Sequence, residues 1–471
     1  MEIRIPTSEF ILMIIALTTE GFGFQRRLQV VSRRDYRDGW ITVFIAENGC
    51  KKSLLLRCLA EHAMGRRTRE SGLVGRIEPA VRRPHRVIAL SGTPLDRFPR
   101  VGTTDLKSRR KRISAANSFV YIGPRASNGM AGIGQSERSF VGSLIANRAD
   151  LMGRSENLNR AFSFVGLVPS VAIYLEIAQR IDSESFVDGL HQYIEELSAA
   201  GLGRNSEVVE LRRALSRFGS AGALSIVASK LRASIERGAA QIIFSDGSLS
   251  VDRGLSIALL ELLMRSGALE ISRTEFNRKS DGVRISGDHL SSGQWSWLGT
   301  FGGLALEIRE ETLILVDEPE NSLHPKWQRS FIPELREIVS GYAGGQVVAA
   351  THSPLIASGI SPDWGQVRTL SRGDRSNSVV KSQPLLNVFG WNSSDVYDEI
   401  FGLDSSRSPD FLKEINAVLA VIAAHDPISK VAMGDLRKKL RSLSNSLPDF
   451  DPMKNILIGS IKRVEELGRK K

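Results

Sequence analysis

Two adjacent carboxylates, Asp317 and Glu318, follow the apolar run Leu313-Ile314-Leu315-Val316 and precede Pro319. A buried strand ending in such a pair delivers two hard oxygen ligands at its C-terminal edge. One can hold Mg²⁺, directly or through water, while its neighbour polarises an attacking water. Far upstream, Ala46-Glu47-Asn48-Gly49-Cys50-Lys51-Lys52-Ser53 follows another apolar run and opens an apolar helix. In that context backbone N–H groups cradle phosphate, Lys52 reaches the β/γ oxygens and Ser53 holds the metal. The octapeptide departs from G-x-x-x-x-G-K-[ST] at two places, Ala46 and Lys51. Glycine serves there because backbone must approach phosphate closely and can adopt φ > 0. A β-carbon at position 51 reshapes the cradle, while its ammonium adds attraction for phosphate.

Two further segments have the same bearing. In Leu290-Ser291-Ser292-Gly293-Gln294 a Ser-Gly turn can open a helix whose N-terminal amides and dipole attract phosphate. In Gln346–Ala350 a strand-like run leads into Thr351-His352-Ser353-Pro354, where an imidazole can stand near a γ-phosphate. Each segment alone has a plain structural reading, since Ser-Gly turns are common and a lone histidine usually packs. Their order along the chain is what points to nucleotide chemistry.

The elements that must position these groups follow from apolar periodicity. Strands are expected at Phe10–Leu17, Leu28–Ser32 and Trp40–Ile45, then a helix from Ser53 to Met64. Val87–Leu90 is a further buried strand running into the turn Gly92–Pro94. From Met130 to Arg160 the Gly-, Ser- and Asn-rich composition predicts a long surface loop or flexible link. Helical spacing from Leu167 to Arg237, as in Phe186, Leu190, Tyr193, Ile194 and Leu197, predicts a helical subdomain. Strands return at Ala240–Val251 and Leu269–Ile285 with a helix at Leu255–Leu263 between them, then at Glu311–Val316 and Gln346–Ala350. After Pro384 the chain reads as mainly helical with a basic tail.

Composition narrows the function classes. With 471 residues, 42% hydrophobic and 24% charged, the chain is long enough for a large core and is neither fibrous nor largely disordered. Its two cysteines, Cys50 and Cys58, exclude a disulfide scaffold or a four-cysteine zinc site and fit a reducing, cytoplasmic setting. The early apolar run Phe10–Leu17 is far short of the ~20 residues a spanning helix needs, so no membrane association is expected. The net charge is +11, with arginines clustered at Arg66, Arg67 and Arg69, at Arg82, Arg83 and Arg86, and from Arg109 to Arg112. Such clusters suit the phosphate backbone of DNA or RNA, or form a solvated basic face. Asp449-Phe450-Asp451 is a D-x-D without a preceding strand, and the histidines are scattered, so no nuclease centre is read in this chain.

Taken together, the phosphate cradle, the signature-like pentapeptide, the carboxylate pair and the histidine resemble the ABC-type ATPase superfamily in order and type. The stretch Asp317-Glu318-Pro319-Glu320-Asn321-Ser322-Leu323-His324-Pro325 is similar to soluble AAA/ABC-like ATPases of the RecF, overcoming-lysogenization and anti-phage groups. Val87–Pro99, with Asn392–Gly402 and Ser406–Pro409, resembles the PtuA-type ATPases of Septu and retron-associated defence systems.

The resemblance implies an α/β fold: an ABC-type P-loop ATPase head with a mixed β-sheet core, a helical insertion and a mainly helical C-terminal region. It divides the chain into an N-terminal ATPase lobe (1–129), a loop and helical insertion (130–239), a second ATPase lobe (240–383) and a helical region (384–471). It implies ATP and Mg²⁺, with Asn48, Gly49, Cys50, Lys51, Lys52 and Ser53 at the triphosphate, and Ser53 and Asp317 on the metal. Glu318 would position water and His352 would sense the γ-phosphate. Ser291, Ser292, Gly293 and Gln294 would complete the site of a second protomer. A homodimer or higher oligomer and an HNH nuclease partner follow from the same resemblance. The alternatives are a RecF/SMC-like DNA-repair ATPase and a weakly hydrolysing nucleotide-binding scaffold. Tyr36 and Trp40 both remain open as the adenine-stacking aromatic. Gln135, which precedes the helical region and is weighed as the Q-loop glutamine of the resemblance, reads as a loop residue.

Overall fold

The computed structural model describes residues 14–20, 23–32, 39–64, 74–78, 84–99, 119–125, 133–181, 186–201, 203, 206–217, 221–372, 379–385, 388–401, 407–423 and 430–469. Tyr36 and the basic clusters lie outside these residues, apart from Arg86, whose Nη1 donates to Glu307 Oε2 at 2.6 Å.

A seven-stranded sheet organises the chain. Its strands are β1 (Trp40–Ile45), β2 (Arg86–Ser91), β3 (Phe119–Ile122), β4 (Thr312–Asp317), β5 (Gln346–Thr351), β6 (Gly365–Arg372) and β7 (Val380–Leu385). Their order is β7-β6-β1-β5-β4-β2-β3, parallel throughout except for the antiparallel edge strand β7. Every residue of β1, β4 and β5 is buried. That is why these segments read as unbroken apolar runs and not as alternations: a central parallel strand is covered on both faces.

The register positions the chemistry. Asp317 pairs with Ala350 on one side and Ser91 on the other, and Thr351 pairs with Ile45. The C-terminal ends of β1, β5, β4 and β2 therefore lie level along one edge of the sheet. Four loops leave from that edge, as ligand-binding loops do in open parallel sheets.

The helix Lys52–Ala63 starts directly after β1. Its Leu55 and Leu59 join one core with Phe44, Leu315 and Val348 of the sheet. The same core takes in Leu17 and Leu28 of a three-stranded antiparallel sheet, Arg27–Gln29, Ala16–Glu20 and Val74–Glu78. A third, five-stranded antiparallel sheet runs Arg284–Ser286, Leu269–Arg278, Leu167–Ile177, Ile242–Ser245 and Ser248–Val251.

Two expectations need correction. Residues expected as a surface loop form the helices Ile133–Ala146 and Ser155–Phe164, joined by short 3₁₀ turns. Phe140, Val141, Leu144 and Ile145 recur at helical spacing and are buried, and that stripe outweighs the intervening small polar residues. Gln135 consequently lies in a helix, not a loop. The expected helical subdomain also begins with the strand Leu167–Ile177 before its helices Phe186–Ala199, Ser206–Arg217 and Ala221–Glu236. Val171, Ile173 and Leu175 are buried with period two, the mark of a half-buried antiparallel strand.

The chain divides into two compact units, Met1–Val396 and Tyr397–Lys471. In the second, the helices Pro409–Ala423, Lys430–Asn445 and Pro452–Arg469 close a core of Ile415, Val418, Leu440, Leu443, Leu457 and Val464. The D-x-D belongs to this packing. Asp451 accepts from Arg407 at 2.5 Å and from the Met453 N–H at 2.9 Å, while Lys454 pairs with Asp449 at 2.7 Å. No helix among the described residues is long and apolar enough to cross a membrane.

Candidate functional site

The loop after β1 turns on two left-handed residues, Gly49 at φ 82° and Lys51 at φ 60°, before Lys52 opens the helix. Lysine at 51 thus adopts the conformation usually left to glycine, at a cost of about 1–2 kcal/mol. Its ammonium lies 5.7 Å from the centroid of the Phe24 ring. Ala46 is absent from the described residues with positive φ, so the alanine there keeps ordinary backbone. Arg372, at the end of β6, donates to the Gly49 carbonyl at 2.6 Å and braces the loop from outside.

Lys52 is 4% exposed, and its ammonium donates to the carbonyls of Ala46 and Glu47, both at 2.9 Å. Burial lowers its pKa, offset in part by Cys50 and by the carboxylates of Glu318, Glu320 and Asp317. The ammonium also stands 3.2 Å from His352 Nδ1, and His352 Nε2 stands 3.1 Å from Glu318 Oε1. A charged lysine can only donate, so Nδ1 accepts, Nε2 carries the proton and donates it to Glu318. Lysine, histidine and glutamate form one continuous chain of contacts. Ser53 Oγ donates to Asp317 Oδ1 at 3.1 Å, joining the cradle directly to the carboxylate pair.

The two carboxylates differ sharply. Asp317 is 1% exposed, and burial pushes its pKa up to about 7 against the Ser53 hydrogen bond. Its Oδ2 is buried without a hydrogen-bond partner. An orphaned carboxylate oxygen beside a serine hydroxyl is a donor set that suits a hard divalent cation, so Ser53 and Asp317 fit Mg²⁺. Glu318 is half-buried and its backbone is left-handed at φ 47°. Asn321 Nδ2 donates to its Oε2 at 3.1 Å.

Burial of Asp317 carries a pH consequence. Its folded pKa is raised, so the folded chain binds more protons than the unfolded one between pH 3.8 and about 7. Without Mg²⁺, stability falls as pH rises through that window, by at most about 1.4 kcal/mol per pH unit. Asp317→Asn should flatten that part of a calorimetric Tm profile. An unchanged slope would exclude Asp317 as the titrating group.

Several groups were not anticipated from sequence. Glu320 accepts from the Thr351 hydroxyl at 2.8 Å and from the His352 N–H at 2.5 Å, fixing the histidine's backbone. Burial raises its pKa, opposed first by that His352 bond. Its place in Glu318-Pro319-Glu320 was the available signal. Phe24 and Arg372 had none, because both are distant in sequence from the loop they touch. Trp40 does not border the cradle: it is 2% exposed and stands at the start of β1, opposite the edge from which the loop leaves.

The Ser291–Gln294 segment is built as a helix start. Ser291 Oγ accepts from the Gln294 N–H at 3.2 Å, and Gln294 Oε1 accepts from the Ser291 N–H at 2.9 Å. This capping box commits both side chains locally and leaves Ser292 exposed. Trp297, at the end of the helix Ser292–Trp297, stacks on Phe164 with centroids 3.7 Å apart and anchors it. A Cβ on Gly293 would meet the Ser322 carbonyl at 2.9 Å, so only glycine lets this helix approach the turn after the carboxylates. Ser322 is itself left-handed at φ 65°.

Among known proteins, the family model described as "AAA domain, putative AbiEii toxin, Type IV TA system" matches residues 163–358. The match spans the helix start, the carboxylates and the histidine but not the phosphate cradle. Septu protein PtuA of Bacillus thuringiensis is 28% identical over 143 residues, 27% of this chain and 35% of the relative. The retron Vc95 probable ATPase of Vibrio cholerae serotype O1 biovar El Tor is 29% identical over 184 residues, 36% of this chain and 34% of the relative. The chain thus spans about a third of the length of these curated relatives. An Smc head domain bound to the C-terminal domain of ScpA, from Pyrococcus furiosus, aligns with 12% identity and a TM-score of 0.33 over 79% of this chain and 96% of that one. The resemblance read from the motifs, to PtuA-type and retron-associated ATPases, holds in these alignments.

Proposed function

We propose that this chain is an ATPase of anti-phage defence that binds and hydrolyses ATP, dimerises around it and governs an HNH nuclease partner. One observation carries the reading: Ser53 on Asp317, and Lys52, His352 and Glu318 in one chain of contacts, all at a single sheet edge. In a triphosphate site the lysine would meet phosphate oxygens, the first acid would hold the metal, the second would orient water and the histidine would meet the γ-phosphate.

In this reading Asn48–Ser53 cradle the phosphates, and Lys52 exchanges the Ala46 and Glu47 carbonyls for β/γ oxygens. Ser53 and Asp317 hold Mg²⁺, which when bound neutralises charge on the phosphate oxygens. Glu318 orients the water whose oxygen bonds to the γ-phosphorus as the bond to ADP breaks. His352 turns its Nε2–H from Glu318 toward the γ-phosphate. Ser292 and Gly293, framed by Ser291 and Gln294, complete the site of the second protomer. The setting is the cytoplasm, and nucleic acid is engaged through the basic clusters or by the partner.

Light scattering tests the dimer. Glu318→Gln protein should double its mass when ATP-Mg²⁺ is added and return to monomer with ADP. An unchanged mass at saturating ATP rejects nucleotide-driven dimerisation. Co-expression with an HNH nuclease and affinity capture then tests the partner.

A further inference from the structure

We propose that the loop Gly92–Phe98 is a positioning strap for Glu318, held by the buried cluster of Asp96, Arg125 and Tyr121. The inference rests on the reading of Glu318 as the water-orienting carboxylate. A glutamate at φ 47° persists only if its surroundings over-determine the backbone. On the amino side the Glu318 N–H donates to Ala350 at 2.9 Å. On the carbonyl side the neighbour is Gly92.

Gly92 follows β2, and its N–H donates to the Asp317 carbonyl at 2.9 Å. A Cβ at position 92 would stand 2.1 Å from the Glu318 carbonyl oxygen and 3.2 Å from Pro319 Cα. The strap's backbone therefore lies directly on the Glu318–Pro319 peptide, and no other residue fits there. Gly92 also borders a cavity of about 90 Å³ shared with Ser91, Ile122, Ser292, Trp295 and Ser322. Register holds the near end of the strap, since Ser91 pairs with Asp317, and the far end must hold the rest.

That end is fastened unusually well. The Asp96 side chain is fully covered; its Oδ1 accepts from the Phe98 N–H at 3.0 Å and forms an ion pair with Arg125 Nη2 at 3.0 Å. Its Oδ2 accepts from the Tyr121 hydroxyl at 2.7 Å. Arg125, 8% exposed, also donates to the carbonyls of Phe98 at 3.1 Å and Asp96 at 3.3 Å, and lies 5.0 Å from the Tyr121 ring centroid. Burial, then Asp96, pushes the Tyr121 phenol above its usual range and keeps it a donor. Burying an ion pair adds little stability over an apolar core. Satisfying every partner of the carboxylate instead sets one geometry for the loop. Phe98 at this end is 3% exposed, joins the main core and meets the Tyr121 ring edge-on with centroids 6.5 Å apart, adding apolar packing to the polar cluster, whereas Leu95 at the strap's tip is 87% exposed.

The test measures phosphate release, ATP affinity and backbone hydrogen exchange on the full chain. Gly92→Ala should lower kcat by about 10²-fold, the scale of a misplaced reacting group. Its KM and ATP affinity should stay within about threefold. In the Glu318→Gln background the same change should cost nothing further, because a positioning residue acts through the group it positions. Exchange over Glu318–Leu323 should rise in Gly92→Ala relative to β1 and β5. Tyr121→Phe removes one donor without stranding a charge. It should show the same pattern more mildly, and it decides the matter if Gly92→Ala does not fold.

Unchanged kcat together with unchanged exchange over Glu318–Leu323 overturns the strap. An equal further loss in the Glu318→Gln background would do so too. If Glu318→Gln itself hydrolyses like wild type, the reading of Glu318 fails, and the exchange measurement still decides whether the strap holds that turn.

Discussion

Glu318→Gln is expected to cut phosphate release by about 10²–10⁴-fold, the range a positioned acid–base group supplies. ATP affinity should be almost untouched. In the proposed reading binding draws on the cradle, Lys52 and the Ser53–Asp317 pair, and none of these needs the Glu318 charge. Glutamine keeps one oxygen as the acceptor for Asn321 but turns an N–H toward the His352 Nε2–H, so the histidine contact is given up while the Asn321 bond holds the side chain in place. What it loses is the carboxylate that orients the water in the proposed reading. Phosphate release under saturating ATP, with calorimetric titration on the same sample, separates the two effects. Full turnover in this variant removes Glu318 from the role.

The second large effect concerns the altered cradle. Lys52→Ala should abolish measurable ATP binding, weakening it by about 10²-fold or more, since several charge-assisted hydrogen bonds are lost together. Lys51→Gly should alter affinity by less than about fivefold. Lysine already takes the left-handed conformation there, and its ammonium is directed to Phe24. Glycine would relieve about 1–2 kcal/mol of backbone strain and forfeit a cation–π contact of about 0.5–1 kcal/mol. Titration of ATP-Mg²⁺ into wild type, Lys52→Ala and the Ala46→Gly/Lys51→Gly pair decides the point. A wild type that binds nothing, restored by the two glycines, would show a blocked cradle and favour a scaffold over an ATPase.

The sequence by itself determined which chemical groups are present and on which elements they ride. An apolar run ending in Asp317-Glu318, a loop carrying Lys52-Ser53 into a helix and a strand delivering His352 are local patterns, and local patterns are legible from residue type and spacing. The strands β1, β4 and β5 and the helix after the cradle follow from them almost residue for residue. Local reading failed where two local signals competed. Small polar residues disguised the helix Ile133–Ala146, and neighbouring helical periodicity hid the strand Leu167–Ile177.

Only the tertiary structure decided that these groups meet. Ser53 reaches Asp317 across 264 residues, and Lys52 reaches His352 across 300, because parallel register levels the ends of β1, β4 and β5. No local pattern encodes register between strands so far apart; it is chosen by packing both faces of the sheet. The same holds for the raised pKa of Asp317, which comes from desolvation by the whole core. It holds for the left-handed backbone of Lys51 and Glu318. Phe24 lies beside the Lys51 ammonium, Arg372 donates to the neighbouring Gly49 carbonyl and Gly92 lies against the Glu318 carbonyl, and each of these is remote in sequence.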